Sequence, residues 1–120
     1  VDTVTVGSRK SRGYRTQAVV AENLRLSGLW PFAETAGAGR PGVDILNTPG
    51  YAIEVKARRA LKPLEWLRQA YANSKGNVPV VVFRPDGLGE QSIEDWGVLM
   101  TFREWKDLVF RAEFHHEDAA

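Results

Sequence analysis

The 120-residue chain contains no cysteine. Disulfides, thiol catalysis and Cys-based zinc sites are therefore excluded. Histidine is nearly as scarce, with two residues that stand side by side as His115 and His116. Adjacent residues do not share a helix face, so the pair reads as part of a frayed tail over residues 115–120. No apolar run approaches the ~18 residues a membrane span needs, and no membrane partner is expected. The opening "VDTVTVGSRKSRGYR" lacks the apolar core of a secretion signal, which makes the cytoplasm the expected address. Internal repeats and low-complexity tracts are absent too. The glycine-rich "TAGAGRPG" does not end in Gly-Lys-Ser/Thr and precedes a strand pattern rather than a helix. It is not a P-loop, and no nucleotide cofactor is expected.

What is present is the composition of one folded domain: 43% hydrophobic, 26% charged and four tryptophans. That supports one core over residues 11–114, not two. Trp30, Trp66, Trp96 and Trp105 are expected to anchor that core or a subunit interface. The net charge of +1 hides an asymmetry. Residues 1–62 hold ten Lys/Arg against five Asp/Glu, and residues 63–120 hold six against ten. Basic residues cluster in "SRKSRGYR" and "KARRALK". Such clusters suit a polyanion or plain solvated surface, and charge alone does not choose.

Residues 1–10 read as a flexible basic arm. From Arg12 to Ser27 the pattern is helical and stops at Gly28. "LWPFAE" reads as a strand, followed by the glycine-rich loop and strands at 42–47 and 51–57. "NTPG" joins the last two through a turn with Pro then Gly at its centre. Pro63 opens a second helix to about Lys75. "VPVVVFRP" is a β-branched run typical of a strand covered on both faces, and "WGVLMTF" is the last strand. Thr101 to Glu104 fits a capping box that starts a helix with Trp105, Leu108 and Val109 inward. The order is α-β-β-β-α-β-β-α, an α/β fold with a mixed β-sheet flanked by helices.

"GVDILNTPGYAIEVKAR", residues 42–58, puts charge where apolar side chains are expected. Burying an unpaired charge costs several kcal/mol. Strand alternation places Ile53 and Val55 on one face, with Glu54 and Lys56 together on the other. Asp44 opens the preceding strand. Two carboxylates plus a backbone carbonyl form a hard-oxygen set of the kind Mg²⁺ accepts. Lys56 beside them would orient the attacking water or stabilise charge developing on a phosphate. That is chemistry for phosphodiester hydrolysis. The bland alternative makes Glu54 and Lys56 the solvent face of an amphipathic edge strand.

With "GVD", a short linker and "EVK", the chain resembles the PD-(D/E)xK nuclease superfamily. Within it, the chain is most similar to the small Holliday junction resolvases of archaeal and phage type. The likeness covers roughly residues 9–110: a basic opening and helix, a strand, a glycine-rich loop, two motif strands, a helix and a β-branched strand. It implies a restriction-endonuclease-like fold and a Mg²⁺-dependent endonuclease of four-way DNA junctions, with Mn²⁺ able to substitute. It implies Asp44, Glu54 and the Val55 carbonyl as metal ligands, with Lys56 activating or positioning water. It also implies a homodimer, because symmetric cutting takes two sites related by a two-fold axis. Two alternatives remain open: a nuclease on other branched, single-stranded or duplex DNA, and a catalytically degenerate DNA-binding module.

The chain departs from that pattern in three places. Pro41 stands three residues before Asp44, with Val43 directly before the acid. A two-residue turn at Pro49-Gly50 would pair Asp44 with Val55 and aim it at the wrong face, so convergence needs a bulge or an odd loop. Resolvases of this type carry a metal-associated Glu on the first helix. Here Gln17 lies at the centre of an inward face formed by Tyr14, Val20, Ala21 and Leu24, whereas Glu22 points away. Gln17 would orient water or a metal ligand, or else be a core glutamine satisfied by backbone. Gln69, thirteen residues after Lys56, is either a support to the site or ordinary helix surface; Trp66 and Asn73 share its stripe. Arg40 would contact a phosphate or be solvated. Arg9, Lys10, Arg12, Arg15, Arg58, Arg59 and Lys62 are candidate phosphate contacts that position DNA without reading its sequence.

Overall fold

The computed structural model describes the backbone of residues 3–37 and 40–118, and side chains of residues 13–37 and 40–114. The order is α1 (Thr3–Leu26), β1 (Glu34–Thr35), β2 (Ile45–Leu46), β3 (Tyr51–Lys56), α2 (Pro63–Ala72) and β4 (Val78–Phe83). A 3₁₀ segment (Glu90–Asp95), β5 (Gly97–Leu99) and α3 (Phe102–Asp118) follow. This is an α/β architecture in the expected order.

The main sheet runs β3-β4-β5, parallel between β3 and β4 and antiparallel between β4 and β5. Two parallel neighbours need a long crossover, and α2 supplies it. β1 and β2 form a separate antiparallel pair. β4 is central, and its β-branched run is explained by cover on two sides. On one side Val81 packs with Trp66 and Ala70 of α2. On the other, Val80 and Val82 pack against a cluster holding Val20 and Ala21 of α1, Ile53 and Val55 of β3, and Trp96. Helix, sheet and helix therefore make three layers.

Local chemistry sets the boundaries. Pro63 stands in the first turn of α2, where its missing amide is not needed. Thr101 Oγ1 accepts a hydrogen bond from the amide of Glu104 (3.2 Å), half of the expected capping box. Pro49 and Gly50 occupy the centre of a turn closed by the Tyr51 amide on the Thr48 carbonyl (3.0 Å), with Gly50 at φ +85°. That φ suits glycine at the third turn position.

Several expectations change. The backbone of residues 3–10, read as an arm, forms the first turns of α1; Arg and Lys are good helix formers and no proline interrupts before Pro31. On α1 the inward position falls to Thr16, fully buried, while Tyr14 is exposed. Only Glu34–Thr35 of "LWPFAE" and Ile45–Leu46 of 42–47 are strand. Pro31 lacks a ladder donor, and the chain turns there instead, with the Ala33 amide on the Trp30 carbonyl (3.1 Å). Helix α3 continues through residues 115–118 of the expected frayed tail, where no glycine or proline stops it. Its Trp105 and Val109 are exposed rather than inward.

Gly97 opposes Phe83 across the β4–β5 ladder, and a Cβ there would overlap the Phe83 ring. That ring is braced against Trp66 at 6.1 Å between centroids. Gly97→Ala is expected to destabilise the fold by about 1–3 kcal/mol through overpacking. Urea unfolding of the two proteins measures it, and Phe83→Leu in the Gly97→Ala background should recover part of the loss.

Candidate active site

Strand β3 divides its side chains between two tasks. Ile53 and Val55 enter the α1-side core, while Glu54 and Lys56 face α2. Residues two apart on a strand are separated by about 6.6 Å, and residues four apart on a helix by about 6 Å. The pairs therefore match across the layers. Asn73 Nδ2 donates to Glu54 Oε1 (2.7 Å), and Lys56 Nζ donates to Gln69 Oε1 (2.5 Å). Gln69, a candidate from sequence, thus fixes the lysine. The sequence stripe assigns Asn73 no task; its four-residue spacing from Gln69, matched to the two-residue spacing of Glu54 and Lys56, is the signal for its role.

Asp44 reaches the same place from the other edge of β3. A tight hairpin closed at Thr48–Tyr51 would set Asp44 opposite Val55. Instead the Asp44 amide donates to the Ile53 carbonyl (3.0 Å), two residues out of that register. Asn47, at φ +65°, is the irregular residue between them. An even offset leaves the side-chain face unchanged, so this is not the one-residue bulge expected from sequence. No regular β2–β3 ladder forms, and the Asp44 side chain itself bonds the edge of β3. Asp44 Oδ2 then accepts from the Val55 amide (2.7 Å). The amide and carbonyl of one strand residue point to the same edge, so the Val55 carbonyl faces the Asp44 side.

A cavity of about 180 Å³ is lined by Gly13, Gln17, Asp44, Glu54, Val55, Lys56, Ala57, Arg58 and Gln69. All four expected catalytic residues border this one space. Glu54 is only 2% exposed. Its carboxyl is pushed up to about 7, chiefly because burial disfavours the charged form; the Asn73 amide opposes this. The charge of Asp44 and a hydrogen bond with it raise the value further, and Lys56 offsets part of the shift.

Among the described residues no group of three or more His, Cys, Asp or Glu side chains could hold a metal. The donor set at this cavity is two carboxylates and a main-chain carbonyl, all hard oxygens. It fits Mg²⁺ or Mn²⁺, which retain several waters in such sites, and it fits poorly any metal that prefers nitrogen or sulfur.

The cations are dispersed. Arg58 borders the cavity. Arg40 instead lines a larger cleft of about 450 Å³ with Lys75, Asn47 and Asn77. Arg15 is engaged by Glu90, with one nitrogen 2.9 Å from both oxygens, joining α1 to the 3₁₀ segment. Arg59 stands 3.7 Å from Asp86, and Lys62 3.9 Å from Glu65. These are exposed pairs that open at little cost. The side chains of Arg9, Lys10 and Arg12, and of His115 and His116, lie outside the described residues.

Between pH 4.5 and about 7 the folded chain holds a proton on Glu54 that the unfolded chain releases. The resulting stabilisation is complete below the ordinary carboxylate range and is lost as pH rises through about 7, a change on the order of 3 kcal/mol. In chelator-treated buffer, the unfolding midpoint should therefore fall between pH 5 and 8, and Glu54→Gln should flatten that slope. Equal slopes in the two proteins would mean that Glu54 is not desolvated. Comparison of the chain with protein-family models, curated proteins and solved structures finds no match.

Proposed function

We propose that the chain is a metal-dependent, structure-selective DNA endonuclease with a restriction-endonuclease-like fold, most like a Holliday junction resolvase. One observation carries the reading: the Asp44 carboxylate turns onto the edge of β3, accepts the Val55 amide and borders one cavity with Glu54 and Lys56. An amphipathic edge strand would expose Glu54, whereas here it is buried with two polar partners.

Asp44, Glu54 and the Val55 carbonyl would hold Mg²⁺, with Mn²⁺ able to replace it. When bound, the ion would neutralise phosphate charge and supply a water of lowered pKa. The remaining work falls to the chain. Lys56, held by Gln69, presents an ammonium to charge building on the phosphate as water adds and one P–O ester bond breaks. Gln17 can donate and accept, so it orients water without adding negative charge. Asn73 holds the Glu54 carboxyl in one orientation. Arg58 and the basic N-terminal half hold the DNA backbone through charge. In this reading the protein acts as a homodimer, one site for each of two symmetric cuts.

The neutral Gln17, where resolvases carry Glu, favours the DNA-binding module as the second reading. A labelled four-way junction separates the two. Symmetric nicks that require Mg²⁺, and fall by more than about 100-fold in Asp44→Ala or Glu54→Ala, support the proposal. Cutting of flaps, single strands or duplex with junctions spared transfers it to another substrate. Tight junction binding without product under Mg²⁺ or Mn²⁺ overturns it. Protons compete with the cation for Glu54, so Mg²⁺ should raise the melting temperature more at pH 8 than at pH 6, and Asp44→Asn should reduce the effect.

A further inference from the structure

Helix α3 leaves β5 at Thr101, and among the described residues no helix or strand makes more than marginal contact with it. With 3.6 residues per turn, Phe102, Trp105, Leu108, Val109 and Ala112 share a stripe of about 120°. Phe102 is 70% exposed and Trp105 is 53% exposed, stacked on each other at 6.0 Å. A stripe of this width is what a helix presents to a packing neighbour. Phe110 and Phe114, 4.8 Å apart, lie on the opposite side with Arg103 and Asp107 and take no part.

The charges beside the stripe indicate what covers it. Lys106 and then Glu113 border one flank, and Glu104 and then Arg111 border the other. None of the four has an ion-pair partner among the described residues. We propose that α3 packs antiparallel against α3 of a second copy of this chain, about a two-fold axis between Leu108 and Val109. That axis turns each flank onto its own counterpart, so Lys106 meets the other copy's Glu113 and Glu104 meets its Arg111. It also sets the bulky Trp105 against the small Ala112 in both halves. A parallel pair would stack Trp105 on Trp105 and leave Ala112 facing Ala112 across a gap, which close packing disfavours. The arrangement rests on α3 alone and holds whether or not the chain cuts DNA.

Sedimentation velocity on the full chain tests it, with circular dichroism as the check on folding. The protein should sediment as a dimer at micromolar concentration, and Trp105→Lys as a folded monomer. Lys106→Glu should weaken the dimer by about tenfold or more. Adding Glu113→Lys should restore it, because the swapped charges meet again only in the antiparallel arrangement; in a parallel pair they would face Glu104 and Arg111, each of like sign. A monomeric wild type, which would leave the stripe to a different protein, overturns the proposal. So does a dimer that the double variant fails to restore.

Discussion

A carboxyl group with almost no access to water, Glu54, is the constraint around which the rest of the structure is arranged. An isolated carboxylate there would cost several kcal/mol. The fold meets the cost by local means: a hydrogen bond from Asn73, the nearby charge of Lys56, and a proton retained to about pH 7 that the neighbouring Asp44 favours. Each demands a larger arrangement. Asn73 reaches Glu54 only if α2 runs back along β3 in one register. Asp44 reaches it only if the chain before β3 departs from a tight hairpin. A buried group that needs partners from two elements constrains both.

The division of labour on β3 follows from the same constraint. Its odd-numbered residues are gripped by the α1-side core, while Glu54 and Lys56 carry charge toward α2. Groups on a strand buried on both sides are held more firmly than groups on loops. The basic residues contrast with this. Arg15, Arg59 and Lys62 have acidic partners, and Arg58 and Arg40 border different cavities. In the proposed nuclease, reaction geometry belongs to the sheet, while DNA is held by side chains free to adapt. A protein that grips the phosphate backbone by shape needs that tolerance.

How much was legible varied with the range of the interaction. The element order follows from period, proline and glycine, which act locally. The shared face of Glu54 and Lys56 follows from strand alternation, and Gln69 is a candidate from its distance along the chain. Asn73 escaped because its role exists only when helix and strand spacings are laid side by side. Gln17 borders the cavity as expected, yet Thr16 rather than Tyr14 takes the buried position on α1. A helix wheel defines a stripe but not its rotation against a neighbour. The inward face expected for α3 failed for a plainer reason: amphipathic pattern states that a face requires cover, not that cover lies within the same chain.

The amino-acid order by itself determined an α/β chain with a β-branched central strand, a Pro-Gly turn, and a Glu–Lys pair on one strand face. These depend on backbone periods and turn stereochemistry, which neighbouring residues specify. Tertiary structure alone decided that Asp44 bonds back to β3 out of hairpin register, that Glu54 is buried and partly protonated, and that the α3 stripe is left open. Those outcomes depend on which surfaces meet and how much water they exclude, and no short window of sequence contains that information.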